Sequence, residues 1–565
     1  MSEARRIVVV GGSAAGPKAA AKARRMDQHA EVTIIQKAPD LSMASCGYPY
    51  YVGGFFDDRN QLLCTPTGVV RDPKFFLNAK GITAITDTEV TSIDREAKTV
   101  VARNLKTGDV SQHVYDKLVL ATGATPLMPP IPGTDLEGIT TLQSMRDADF
   151  LRKVRDDGAI KKAVVVGAGL IGVETCEALE LAGIEITVVE MLPQVLMFLD
   201  WEMAKLVENH MRAKGAHVIT ENPVAEFLGK DGKLCGVKLK NGTELPCELA
   251  VVATGVRPNA RLAADAGLEI GETGGIAVND QLQTSDPDIY AAGDCIEIPH
   301  LLTGEKVHAP YGDLANLQGR VVGQNVTSDR QVVFPGTIQT GVCKVFDYSA
   351  GATGLSERNA RAAGLDVVSV VYAAPDKPGF MGAKLLVIKM VAEKATGRLL
   401  GVQCVGPGDV SKRIAAAAMA IHGKQTVTDL TVADLPYAPP FSPAIDNLIA
   451  CAHVLDNKMS GRMTGISSRE VKAKVDAGED MYILDTRGPD EYEQMRLGIG
   501  EVLIPLGALR KRMDEIPQEK DKEIICFCKI SLRGYEAASL LEAHGWTNVK
   551  VMEGGLMAWP FAREL

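Results

Sequence analysis

An α/β chain carrying two Rossmann-like domains, one inserted in the other, is what the sequence predicts, on three observations. Apolar, valine-rich strands at 7–10 and 163–166 each run into a glycine-rich turn and then an alanine-rich helix. Strand-ending signatures recur at Ala121-Thr122-Gly123, Ala253-Thr254-Gly255 and Tyr290-Ala291-Ala292-Gly293-Asp294, where a chain leaving one such domain for another would cross. The total of 565 residues exceeds a single core and predicts three or four domains.

Composition narrows the classes. Hydrophobic content of 46% with 23% charged residues is ordinary for a soluble globular protein. A net charge of −10 argues against general nucleic-acid binding, and no apolar run approaches the length of a membrane span. The opening Met1-Ser2-Glu3-Ala4-Arg5-Arg6 runs straight into a strand without a signal peptide, so a cytoplasmic protein is expected. Eleven cysteines without paired spacing do not form a disulfide framework, and with no Cys-x-x-Cys no metal is expected.

In the first turn, Gly11-Gly12-Ser13-Ala14-Ala15-Gly16, serine takes the place of the middle glycine, and Gln36 stands where an acid would bind ribose after the strand at 32–35. The second, Gly167-Ala168-Gly169-Leu170-Ile171-Gly172, satisfies all three glycine positions: one for the bend, one for pyrophosphate approach, one for helix packing. Glu190, after the strand at 186–189, is placed to bond ribose hydroxyls and to repel a 2′-phosphate, which favours NADH over NADPH. Two dinucleotide sites with these crossings point to FAD and a nicotinamide, with Asp294 placed to bond the ribityl chain. The boundaries read as 1–150 and 255–333 for the FAD-binding domain and 151–254 for the NAD(P)H-binding domain. An α+β interface domain at 334–455, a linker at 456–465 and an α/β unit at 466–565 follow.

Cys46 lies in Ser42-Met43-Ala44-Ser45-Cys46-Gly47-Tyr48-Pro49-Tyr50, and the next cysteine is Cys64. Lacking a near partner, it can hold only one sulfur of a substrate, as a mixed disulfide or persulfide. A helix starting after Cys46 would lower its thiol pKa and favour the nucleophilic thiolate. Lys18, Lys22 and Arg25, at i, i+4 and i+7, make a basic stripe on the first helix.

Over residues 1–450 these features resemble the pyridine nucleotide-disulfide oxidoreductase family. The Ser-x-Ala-x-Cys-Gly-x-Pro-Tyr segment and Tyr437-Ala438-Pro439-Pro440-Phe441-Ser442 are similar to its single-cysteine branch, the coenzyme A-disulfide and NADH-dependent persulfide reductases. The resemblance implies a homodimer in which Tyr437 faces the partner's redox cysteine, with catalysis at Cys46. It implies FAD at Gly11, Ser13, Ala15, Gly16, Gln36, Lys37, Ser42, Val90, Thr122, Gly123, Asp294 and Ala315. It implies NAD at Gly167, Gly169, Leu170, Ile171, Gly172, Glu174, Glu190 and Gly255, with Glu174 positioning the nicotinamide. Coenzyme A is implied at Lys18, Lys22, Arg25, Ser42, Ser45 and Asn316. Ile445 and Asn316 depart from the family's usual lysine and histidine, which implies looser coenzyme A binding or a smaller persulfide.

Residues 466–565 resemble a rhodanese domain through Leu484-Asp485-Thr486-Arg487, Asp490-Glu491-Tyr492, Cys528-Lys529-Ile530-Ser531-Leu532-Arg533-Gly534 and Gly554-Gly555. Backbone N–H groups of the cysteine loop can cradle a thiolate or persulfide; the resemblance implies that Cys528 carries sulfane sulfur while Arg533 fixes the loop. Ser531 replaces a more usual glycine, and Cys526 reads as a packed strand residue. The expected function is reduction of a small thiol disulfide, persulfide or polysulfide at Cys46. Alternatives are an NADH oxidase or peroxidase cycling a Cys46 sulfenic acid, and a non-catalytic sulfur carrier or redox sensor.

Overall fold

The valine and isoleucine runs that open each nucleotide domain become the centre of a parallel sheet. In the computed structural model, which describes residues 4–564, Arg6–Val10 pairs with Glu31–Ile35 on one side and Lys117–Leu120 on the other. Thr83–Ile85 and Ile289–Ala291 complete the sheet at its edges. The second sheet has Lys162–Val166 between Glu185–Val189 and Leu249–Val252. Strands buried on both faces read as continuous apolar runs rather than alternating ones, which is why both were visible in the sequence. Residues 1–3, part of the opening stretch, lie outside the described residues.

Two compact units result: residues 1–191 with 219–337, and 192–218 with 338–565. One expected boundary moves. Ile139–Thr140 already pairs with Leu249–Val252, so the second nucleotide sheet starts before 151. Residues 192–218 group with the second unit, and acids among them pair with partners far away in sequence.

In the second unit an antiparallel sheet runs in the order Gly341–Val345, Tyr348–Gly354, Leu399–Gly406, Leu385–Glu393, Val367–Pro375. The helices Val410–His422 and Asn447–Met459 pack on it. The latter corrects the linker at 456–465, whose first four residues are its last turn. Lys458, polar and unremarkable in sequence, turns inward to bind Glu553. The C-terminal domain is a parallel sheet ordered Gly465–Ile466, Val549–Met552, Ile524–Phe527, Tyr482–Asp485, Val502–Leu503. No described helix is long and apolar enough to cross a membrane.

The segment 192–218 is tied down by charge. Lys389, 3% exposed, lies 3.1 Å from Asp200, 2.5 Å from Glu202 and 2.8 Å from Glu357. Burial pushes the Glu357 carboxyl upward, but Lys389, Ser369 and Arg361 outweigh it and bring it down to about 2. A group depressed in the folded state stabilises fully above its unfolded pKa and loses that contribution as pH falls through the folded value. The stability difference between wild type and Glu357→Gln, measured by urea unfolding, is therefore expected at about 2–3 kcal/mol at pH 7. It shrinks as pH drops from 4.5 towards 2.

Candidate active sites

Both glycine turns close on the strand ends they face. A Cβ on Gly11, whose φ is +112°, would stand 2.0 Å from the Ala121 carbonyl oxygen; on Gly167, at +104°, it would stand 2.5 Å from that of Ala253. The helices then pack tightly, since a Cβ on Gly16 or Gly172 would meet the carbonyl of Gly11 or Gly167 at 1.9 and 2.0 Å. Nothing lies within 4 Å of a Cβ on Gly169, leaving the turn open to a pyrophosphate. The residue after each second strand braces its turn: the Gly12 N–H donates to Gln36 Oε1 at 2.8 Å, and the Ala168 N–H to Glu190 Oε2 at 2.7 Å. Gln36 thus does the bracing that the acid does in the second domain.

The crossing signatures form a two-stranded ribbon, Ala124–Pro126 against Val256–Pro258. The Thr122 hydroxyl donates to the Asn259 carbonyl at 2.7 Å and the Thr254 hydroxyl to that of Leu127 at 2.6 Å. Gly123 and Gly255 both take positive φ. Gly293 lies against Ala15 and Ala315, where a Cβ would meet theirs at 3.1 and 3.7 Å. Burial raises the Asp294 carboxyl, with His308 opposing. Lys37 is exposed and paired with Glu89 at 2.8 Å; Val90 is buried beside it. Leu170 and Ile171 open the helix Leu170–Glu180. The turn left open at Gly169, the braced ribose positions and the desolvated Asp294 fit FAD and a nicotinamide nucleotide.

Cys46 is exposed, in the single turn Ser45–Gly47 ahead of the short helix Tyr48–Val52. Its environment corrects the expected activation. Burial of the thiol's surroundings, then Glu174 and Asp294, push its pKa above the ordinary 9.0. The Tyr50 hydroxyl donates to Glu174 Oε1 at 3.0 Å, fixing that carboxylate near the thiol. The useful dipole comes from elsewhere: a Cβ on Gly312, first residue of the helix Gly312–Asn325, would stand 3.4 Å from Cys46 Sγ. That N-terminus favours negative sulfur.

Beside Ser42-Met43-Ala44 opens a cavity of about 370 Å³. Of the residues expected to hold coenzyme A, Lys18, Arg25, Ser42 and Asn316 line it, and Lys22 and Ser45 do not. Its other wall is Arg71, Phe75, Phe76 and Lys80, the last three on the helix Pro73–Lys80, where the sequence suggests a pocket-shaping loop over Arg71–Phe76 without placing it. Asp72 caps that helix by accepting the Phe75 N–H, and buried Phe76 anchors it. Four cations and no carboxylate line the cavity. The cue available in the sequence was the Asp72-Pro73 helix start.

The C-terminal site is built on a different plan. Cys528 follows the strand Ile524–Phe527, is 0% exposed, and precedes the helix Leu532–Ala543. Ser531 adopts φ +77°, the conformation a glycine would take more cheaply, and its hydroxyl offsets this by donating to the Met552 carbonyl at 2.6 Å. Arg533 donates to both Glu491 oxygens at 2.8 and 2.7 Å and also faces Cys528. That pair, helped by the Gly488 N–H, pulls Glu491 down to about 2. Cys526 is packed in the strand, and burial drives its thiol upward. In the second unit Tyr437 and Ile445 are both exposed.

Residues 5–309 match the family described as pyridine nucleotide-disulphide oxidoreductase, 340–449 its dimerisation domain, and 467–561 the rhodanese-like domain. The chain belongs to the pyridine nucleotide-disulphide oxidoreductase family. It is by family an NAD(P)H-dependent flavoprotein oxidoreductase and carries a rhodanese-like domain. A solved structure of an NAD-dependent persulfide reductase from A. fulgidus is 44% identical, with a TM-score of 0.93 over 98% of this chain and 100% of that one. An NADH oxidase of Methanocaldococcus jannaschii is 33% identical over 81% of this chain and 100% of its own. An NAD(P)H coenzyme A polysulfide/persulfide reductase of Pyrococcus horikoshii is 34% identical over 80% and 98% respectively.

Because the Glu174 carboxylate helps hold the Cys46 thiol above its ordinary pKa, neutralising it has a signed effect. In protein stripped of bound nucleotide, Glu174→Gln is expected to move the pH midpoint of Cys46 alkylation by iodoacetamide downward. An unmoved midpoint would show that Glu174 does not act on the thiol.

Proposed function

We propose that this flavoprotein uses NADH to reduce the sulfur–sulfur bond of a coenzyme A persulfide, with coenzyme A disulfide and polysulfide as related acceptors. The observation that carries the reading is the cavity: four cations, two aromatic rings and no acid, walled by the residues that lead to the exposed thiol of Cys46. Coenzyme A offers phosphates for the cations and an adenine for the rings, and a thin arm able to bring its terminal sulfur to Cys46. Bound FAD supplies the two-electron relay between NADH and sulfur.

The chain's own groups do the rest. Cys46 takes one sulfur of the substrate and releases the other as thiol or sulfide. Tyr50 holds Glu174, which positions the nicotinamide. Tyr437 of a homodimer partner would orient or protonate the departing sulfur. Glu190 selects NADH, and Asp294 holds the ribityl chain. The reaction balances as persulfide plus NADH plus a proton giving thiol, hydrogen sulfide and NAD+. Cys528 takes sulfane sulfur from a donor and passes it to the thiol that is reduced at Cys46. Eleven free cysteines suit a reducing cytoplasm.

Anaerobic NADH oxidation, offering coenzyme A persulfide against the disulfide while sulfide is quantified, tests this directly. One sulfide per NADH from the persulfide is expected; turnover on the disulfide alone would make the enzyme a thiol-pool reductase. Turnover only with oxygen would favour the oxidase chemistry named for the Methanocaldococcus relative. Arg71→Ala is expected to raise KM for the persulfide about tenfold, the loss of one charge-assisted contact. The rate of flavin reduction by NADH, followed by stopped flow, should stay unchanged.

A further inference from the structure

The rhodanese loop is shaped by a stretch of chain that is itself clamped to the dimerisation domain. The strand Val549–Met552 ends at Glu553, only 5% exposed. Its carboxylate accepts Lys458 Nζ at 2.5 Å on one oxygen and the Val371 N–H at 3.1 Å on the other. Lys458 also donates to the Ser369 carbonyl at 2.8 Å. Val371 lies on Val367–Pro375, the edge strand of the antiparallel sheet, where an N–H pointing away from the sheet has no ladder partner of its own. Glu553 supplies one.

The next two residues carry the constraint to Cys528. A Cβ on Gly554 would stand 2.9 Å from Val371 Cγ1 and 2.4 Å from Ala558 Cβ; on Gly555 it would stand 2.4 Å from the Cys528 carbonyl oxygen and 2.8 Å from the Ser531 nitrogen. The Leu556 N–H donates to the Cys528 carbonyl and the Met557 N–H to that of Lys529, both at 3.0 Å. The domain is gripped a second time at Trp201, whose ring lies 5.6 Å from that of Phe561. Trp201 sits between Asp200 and Glu202, the acids bound by Lys389.

We propose that Glu553 is a positioning residue for sulfur transfer at Cys528: by binding Lys458 and the edge strand it fixes residues 552–557, which template the persulfide loop. This rests on the relay reading of Cys528. The half-reaction concerned is attack of the Cys528 thiolate on the outer sulfur of a sulfane donor. With thiosulfate, the new Sγ–S bond forms as the S–S bond breaks, and sulfite leaves with the electron pair. Both partners of Glu553 are donors, so an amide in its place must turn its NH2 towards one of them.

The test is single-turnover sulfite release from thiosulfate by the full-length, FAD-loaded protein, resolving rate constant from amplitude. Glu553→Gln and, independently, Gly554→Ala are expected to lower the rate constant about ten- to a hundredfold, the scale of a catalytic group displaced by about 1 Å. A lower amplitude at the wild-type rate constant would mean fewer folded sites and a merely structural role, which overturns the proposal. Wild-type rate constants in both variants overturn it too. Cys528→Ser separates the two levels: sulfite release that survives this change removes the relay reading itself.

Discussion

Two contacts between a glycine and a carbonyl hold the nucleotide half in register. Gly11 presses on Ala121 and Gly167 on Ala253, and each of those alanines opens a crossing signature. Phosphate turn, strand end and domain crossing are therefore one structural unit in each fold. A side chain at either glycine would force the turn off the strand and carry Thr122 or Thr254 with it. The hydroxyls of those threonines pin the ribbon that joins the two domains, so the relation between the two nucleotide sites depends on the same contacts.

This coupling explains what could be read from the sequence. Glycine turns and central strands are local: their identity follows from a bend, an approach and a continuous apolar run, all within about thirty residues. The Ser531 position was also visible, though its compensation was not, since the acceptor, Met552, lies on another strand. What escaped was long-range and polar. Lys458 reads as a linker lysine until Glu553 is brought to it, and the acids of 192–218 show no partner until Lys389 claims them. Arg71 and Lys80 belong to a segment whose helix start is legible but whose neighbour across the cavity is not.

Cys46 shows the same limit in electrostatic form. From sequence, a thiol before a helix is an activated thiol. In the fold the following helix has only five residues, the longer dipole arrives from Gly312–Asn325, and the carboxylates of Glu174 and Asp294 arrive from both nucleotide domains. Burial raises the thiol first, and the carboxylates that add to it lie more than a hundred positions away.

The two sulfur sites consequently differ in their surroundings. Cys528 is enclosed at a helix N-terminus with the Arg533 guanidinium facing it, and Glu491 fixes that guanidinium through both oxygens. Cys46 is exposed, with the carboxylates of Glu174 and Asp294 opposing its thiolate and the N-terminus of Gly312–Asn325 favouring it. The two thiols are thus set in opposite ways: one enclosed beside a guanidinium that a carboxylate fixes, the other open to solvent between acids and a helix N-terminus.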